Sequence, residues 1–270
     1  MRTVNTRRCV SVVATAGIAT ALALFGSGAA QAAGSNYVAL GDSYSSGVGA
    51  GSYTSASGSC DISTAAYPYL YDNTGNVSSF TDVSCSGAKT TDVISSQLSA
   101  LSSSTTLVSM TIGGNDAGFS TVMEDCVLDS DSGCQSAVNS AESYAKNTLP
   151  GLLDTVYSDI RADAPNAHVV IIGYPEFYDL TQSGGCIGLS TNKRTYIDGG
   201  ADVIDSVIAA QVAKYGDFTY EDVRSRFSGH EICDSNSWLH SLNWLDISES
   251  YHPTAAGQSG AFFPAFEAGV

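Results

Sequence analysis

Positive charge is scarce in this chain. Lys and Arg together number 11, against 27 Asp and Glu, for a formal net charge of −16. A nucleic-acid-binding surface needs clustered Lys and Arg to displace phosphate counterions, so that class is excluded, and strongly anionic membranes would repel the protein. The carboxylates read as a solvated face that keeps the protein soluble. Proline is also sparse, six residues in 270. No Pro-rich or long Gly/Ser linker divides the chain and no repeat is visible, so one domain is expected. There is no Cys-x-x-Cys, and the four histidines, His168, His230, His240 and His252, are scattered, which leaves no metal site. Neither H-E-x-x-H, a P-loop, G-x-G-x-x-G nor the G-x-S-x-G elbow of the α/β-hydrolase fold is present. Ser86-Gly87-Ala88-Lys89 has S-x-x-K spacing, but the S-D-N and K-T-G elements that would give it meaning are missing. No cofactor is implied.

The N-terminus has the form of a signal peptide. Arg2, Arg7 and Arg8 precede an apolar run from Val10 to Phe25, and Ala30-Gln31-Ala32 supplies an A-x-A cleavage site. Residues 1–32 are therefore expected to be removed, leaving 33–270 as a secreted, extracellular domain whose net charge deepens to −19 once the three arginines are lost. Beyond that segment no stretch approaches the 18 apolar residues of a membrane span. Of seven cysteines, Cys9 leaves with the leader, and six remain: Cys60, Cys85, Cys126, Cys134, Cys186 and Cys233. An even number in an oxidising compartment reads as three disulfides. Six cysteines allow 15 pairings; sequential pairing needs the shortest closures.

Three apolar runs have strand length: Tyr37-Val38-Ala39-Leu40, Leu107 to Ile112, and His168 to Gly173. Between them lie helical spacings at Ile94, Leu98 and Leu101; at Leu149, Leu153, Val156 and Ile160; and at Ile197, Ala201, Ile204 and Ile208. Pro150-Gly151 should kink or restart the second helix. Apolar strands alternating with amphipathic helices mean a parallel sheet buried on both faces, a three-layer α/β/α sandwich. Function then belongs at the carboxyl ends of the strands. Gly41-Asp42-Ser43-Tyr44-Ser45 follows the first strand, and Gly113-Gly114-Asn115-Asp116 follows the second.

Ser43 offers a hydroxyl at a strand end, Asp42 a cap for the turn, Asn115 a side-chain N–H, and Gly87 a backbone N–H in a segment tied down by Cys85. His252 precedes a C-terminal helix capped by Thr254. A hydroxyl nucleophile, an imidazole base and N–H donors for an oxyanion are what acyl transfer requires. Gly41-Asp42-Ser43-Tyr44-Ser45-Ser46-Gly47, Gly87, Gly114-Asn115-Asp116 and His252, in that order, resemble the SGNH (GDSL) ester hydrolases along the whole mature chain. The Ala-Leu-Gly-Asp-Ser-Tyr-Ser-Ser-Gly opening and Glu-Ser-Tyr-His-Pro-Thr close are most similar to the secreted actinobacterial lipases and phospholipases of that family. The resemblance implies a flavodoxin-like sandwich with Ser43 as nucleophile and His252 as general base. It places the oxyanion hole at the Ser43 and Gly87 N–H groups and the Asn115 side chain. It also implies the pairs Cys60–Cys85, Cys126–Cys134 and Cys186–Cys233.

One position departs from the family. An Asp usually stands three residues before the histidine, and here it is Glu249. Either Glu249 orients His252 as a third triad member or the Ser250 backbone carbonyl does so. The other histidines read as structural. The expected reaction is hydrolysis of acyl esters of lipids, lipase or phospholipase A type, through an acyl-enzyme. A carbohydrate acetyl esterase is the alternative, and an inactive binding scaffold the least supported reading. Tyr44, Val48, Tyr53 and Phe119 are candidates for an apolar acyl groove. The partners expected are an ester substrate and, transiently, a lipid interface; the protein is expected to be a monomer.

Overall fold

Five parallel strands run in the order β2-β1-β3-β4-β5: β1 Ser35–Ala39, β2 Val77–Asp82, β3 Leu107–Met110, β4 His168–Ile172 and β5 Phe218–Glu221. The computed structural model describes Met1, Thr3 and residues 34–181 and 188–270. Apart from Met1 and Thr3 the expected signal peptide lies outside the described residues, as does Cys186. The central strands are those the sequence marks. β3 is buried at every position and β4 at all but His168, which is why their apolar residues run continuously instead of alternating. β2 and β5 are the edges, half-exposed and carrying Ser, Thr and Glu, and the sequence pattern does not mark them.

Chain direction creates a crevice. From β1 the chain crosses to β2 on one side, and from β3 it proceeds to β4 on the other. The connections therefore part between the carboxyl ends of β1 and β3, where open α/β sheets place their ligands.

Helices flank the sheet: α1 Ser43–Ser46, α2 Tyr67–Asp72, α3 Thr90–Asp92, α4 Phe119–Leu128, α5 Asp131–Asn147, α6 Leu149–Asp163, α7 Thr191–Val212, α8 Ala255–Gly257 and α9 Phe263–Gly269. The α5–α6 break falls at Thr148, next to Pro150, whose missing N–H suits a first turn. Leu149, Leu153, Val156 and Ile160 of α6 are all fully buried. In α7, Ile197, Ala201 and Ile208 are buried, while Ile204 is partly so. The expected helix through Ile94, Leu98 and Leu101 is irregular: α3 passes into a π turn at Val93–Gln97 and a 3₁₀ turn at Leu98–Ala100. The wider π turn shifts the buried face, so Val93 and Gln97 point inward and Ile94 stays exposed.

On one side α9 closes the core. Phe266 stacks on Tyr37 of β1 and meets the Tyr71 edge, and Phe262 packs near Tyr44, Tyr67 and Phe227. Disulfides join Cys60 to Cys85 and Cys126 to Cys134, the latter pinning α4 to α5. Cys233 is also disulfide-bonded; its expected partner, Cys186, lies outside the described residues.

Four buried carboxyls set the pH response of this fold. Burial pushes Asp42 up to about 6, Asp82 and Asp198 to about 7, and Asp205 to about 8, against partial relief from the groups that donate to them. A carboxyl raised in the folded state binds more protons than it does unfolded, so stability falls as pH rises from the ordinary carboxyl range through the raised values. His252, lowered on folding, works the other way below about 6.5, and Asp131 and Asp222, also lowered, do so only in the ordinary carboxyl range and below, so between pH 5 and 8 the raised carboxyls prevail. The thermal midpoint should be several degrees higher at pH 5 than at pH 8. A midpoint that climbed between those values in scanning calorimetry would show that these carboxyls are ionised without cost.

Candidate active site

The turn after β1 is held by groups from three other segments. Gly41 takes φ 121°, and a Cβ there would lie 2.5 Å from the Thr111 carbonyl, so only glycine permits this approach to the end of β3. The Gln97 side chain clamps Gly41 as a neighbouring strand would. Its Oε1 accepts the Gly41 N–H at 2.7 Å and its Nε2 donates to the Gly41 carbonyl at 2.9 Å. Asp42 caps α1 by accepting the Tyr44 N–H at 3.0 Å, and it also accepts the hydroxyls of Thr111 and Tyr174. Tyr174 in turn accepts the Gly114 N–H at 3.0 Å. The Ser43 and Asn115 turns are thereby locked together. As the first residue of α1, Ser43 presents a backbone N–H that has no helical acceptor.

Gly87 and Asn115 line the same cavity as Ser43. Gly87 lies in the left-handed region, φ 77°, with open space where a side chain would stand. Its segment is fixed by the Cys60–Cys85 bridge, by Cys85 N–H donating to Gly41, and by Ser86 N–H donating to Cys60. Asn115 Nδ2 donates to the Ala88 carbonyl at 3.0 Å, which orients the amide and leaves its second N–H available. Asp116 receives the Thr90 N–H and hydroxyl, tying the Gly87 segment to the Asn115 turn a second time.

His252 arrives from the far end of the chain. Its Nε2 lies 2.7 Å from Ser43 Oγ, and its Nδ1 lies 3.1 Å from the Ser250 carbonyl. A carbonyl only accepts, so Nδ1 carries the proton and Nε2 is free to receive one from the Ser43 hydroxyl. Burial drives the imidazole down to about 4; the hydrogen bond that it donates to the Ser250 carbonyl opposes this and nearby His240 adds to it. The base is therefore neutral, and able to accept a proton, at neutral and mildly acidic pH. His252 is positioned by packing as well. Gly49 sits where a Cβ would come within 3.1 Å of the His252 Cβ, His240 Nε2 lies 2.8 Å from the Gly49 carbonyl, and the His240 and His252 loops bond to each other.

Glu249 does not meet the imidazole. The 3₁₀ turn Ile247–Glu249 carries its side chain outward, where Oε1 accepts the Tyr53 hydroxyl at 2.7 Å. That hydroxyl also accepts the Gly49 N–H, at 2.8 Å. Of the two expectations for the partner of His252, the geometry is that of the Ser250 carbonyl. The Glu side chain is spent bracing the loop after α1 against the loop that carries the histidine. Of the other histidines, His230 stacks on Trp238 with ring centroids 3.6 Å apart, and His168 lies 2.6 Å from the Gly269 carbonyl at the C-terminus. Neither lines the cavity beside Ser43.

A cavity of about 580 Å³ opens beside Ser43 and His252 and runs between α4, α5 and α7. Phe119, Val122 and Met123 of α4 face Ile197 and Ile204 of α7 across it. Tyr44 and Phe119 line it as expected. Val48 and Tyr53 do not: left-handed turns at Gly47 and Gly49 direct Val48 into the protein and Tyr53 to the outer surface.

The match to known proteins is extensive. The model of the GDSL-like lipase/acylhydrolase family matches residues 39–259, from the end of β1 to beyond His252. The chain belongs to that family. Lipase 1 of Streptomyces coelicolor is 56% identical over 94% of this chain and 94% of its own length. The crystal structure of phospholipase A1 from Streptomyces albidoflavus superposes with a TM-score of 0.85 at 53% identity, covering 88% of this chain and all of that one. That of the extracellular lipase from Streptomyces rimosus gives 0.85 at 47%, over 87% and 100%. As a member of the family the chain is a carboxylic ester hydrolase with a parallel α/β sandwich fold.

Sequence reasoning missed Gln97. A lone Gln in a Ser-rich helical stretch carries no motif, and only the π turn brings it under Gly41. Gln258 is a similar case: fully buried, it donates to the Tyr44 carbonyl and accepts the Tyr67 N–H.

Proposed function

We propose that this protein is a secreted serine hydrolase that cleaves acyl esters of lipids, as a lipase or phospholipase A. The observation that carries the reading is the 2.7 Å contact of His252 Nε2 with Ser43 Oγ at the mouth of an apolar cavity. His252 takes the Ser43 proton as Oγ attacks the ester carbonyl. The Ser43 and Gly87 N–H groups and the Asn115 amide receive the developing oxyanion. The imidazolium returns its proton to the departing alcohol, and water then releases the acyl group by the same steps. The cavity between α4 and α7 holds the acyl chain. Export is supported by the form of residues 1–32, by the disulfides, and by the extracellular lipase among the relatives; among the described residues no helix is long and apolar enough to cross a membrane. Hydrolysis compared across p-nitrophenyl esters of rising chain length, phosphatidylcholine and acetylated xylan tests the substrate. Preference for medium or long acyl chains is expected, and activity confined to acetyl groups would assign the protein to sugar deacetylation instead.

Two results should follow from the site. Asn115→Ala should lower kcat by about 10² to 10³ with little change in KM, as loss of one oxyanion donor does. A rise in KM at constant kcat would make Asn115 a substrate-binding residue. The acid limb of kcat/KM should lie near pH 4 to 5, well below the ordinary imidazole range, because burial depresses His252 to about 4. A limb at 6.5 or above in steady-state profiles would mean that the free enzyme's base is solvated.

A further inference from the structure

Four of the large apolar side chains left in solvent belong to two segments that border the cavity. Leu128 at the end of α4 and Trp244, Leu245 and Ile247 in the loop before His252 are 63%, 68%, 99% and 59% exposed. Leu128, Trp244 and Ile247 also line the cavity that leads to Ser43, and Leu245 lies between the last two in sequence. A soluble protein rarely groups such residues without a partner for them. Asp246 within the loop, Asp129 beside Leu128, and Glu124 and Glu142 on the rim are acidic, and the two lysines nearby are already engaged, Lys193 by the Asp129 carbonyl and Lys146 by the Glu142 carboxylate. No Lys or Arg stands among the described residues that line the cavity.

Resting on the lipid-esterase reading, we propose that this rim is a docking face for uncharged or zwitterionic lipid surfaces, and that it discriminates against anionic ones. Apolar side chains at the mouth enter the interface and place the cavity entrance flush with the acyl chains. The flanking carboxylates repel a negatively charged bilayer and are tolerated by a zwitterionic one. The depth of insertion is set by Trp244, whose indole suits the headgroup level.

Binding can be separated from chemistry. Ser43→Ala protein, unable to turn over, is titrated with phosphatidylcholine vesicles while tryptophan emission is followed. A blue shift from Trp244 is expected, with partitioning about tenfold weaker after Leu245→Ser is added. Replacing a third of the lipid by phosphatidylglycerol should weaken binding further at low salt, and raising salt should restore it. In the otherwise wild-type background Leu245→Ser, which touches neither cavity nor dyad, should keep full activity on a soluble p-nitrophenyl ester while losing it on vesicles. Equal partitioning with and without Leu245→Ser would overturn the proposal, as would tighter binding to the anionic vesicles. A dimer in sedimentation that Leu245→Ser dissolves would assign the face to a second copy of the chain. Failure of the wild-type protein on the soluble ester would instead sink the esterase reading, whatever the vesicles show.

Discussion

Ser43→Ala should lower kcat by on the order of 10⁶ and leave the fold intact, the size of loss seen when a serine nucleophile is removed. The expectation rests on how little else Ser43 Oγ does. Its hydrogen bond is to His252, whereas the turn is held by Gln97, Asp42 and Thr111, none of which uses that hydroxyl. Alanine suits the first position of a helix at least as well as serine, so α1 should form unchanged. The backbone N–H of residue 43 survives the substitution, and with Gly87 and Asn115 it should still polarise a bound ester. Residual turnover should therefore exceed that in water while labelling by a fluorophosphonate probe disappears. Circular dichroism and initial rates on a soluble p-nitrophenyl ester check the result; a variant keeping a tenth of the wild-type rate would remove Ser43 from the mechanism.

His252→Ala should be nearly as damaging, and its contrast with Glu249→Ala is the sharper test. Without the imidazole the Ser43 proton has no acceptor, and residues that act as one unit each cost about as much as the whole unit, again on the order of 10⁶. Loss of a triad carboxylate in contact with its histidine can cost about 10⁴ in kcat. Glu249 makes no such contact. Its partner is the Tyr53 hydroxyl, and the Nδ1 proton of His252 goes to the Ser250 carbonyl, which no side-chain substitution removes. Glu249→Ala is thus expected to lose tenfold or less, through a looser brace between the Gly49 and His252 loops. Glu249→Gln, which can still accept from Tyr53, should lose still less. A thousandfold loss in Glu249→Ala with intact circular dichroism would require the carboxylate to swing onto His252 during turnover.

What could be read from the sequence divides along physical lines. β1, β3 and β4 announce themselves because burial on both faces makes most of their positions apolar, with Ser109 a buried exception in β3, whereas Val77–Asp82 and Phe218–Glu221 are edges whose polar positions disguise them. Ser43 and Asn115 stand out as candidates because the turns after β1 and β3 place Gly and Asp beside them, whereas Gly87 and His252 stand out only as parts of an ordered set of motifs that resembles a family. Glu249 is not legible, since one added methylene in a short helical turn decides between two directions and composition does not record which. Val48 and Tyr53 fail for the same reason: three glycines with positive φ, at 47, 49 and 51, sit among them, and apolar character says nothing of where such turns aim a side chain. Gln97 is the deepest omission, because its role depends on a π turn that shifts its register by one residue.

Ser43 and His252 are 209 positions apart, and the histidine's loop leads directly into the segment whose Phe262 and Phe266 seal the aromatic core around Tyr37, Tyr67 and Tyr71. Half of the reactive pair is thus carried by a segment synthesised long after the serine. A nascent or unfolded polypeptide holds a serine with no base, and reactivity arises only when that terminal segment docks. Completion of folding is therefore itself the event that brings the base to the serine and makes the pair reactive.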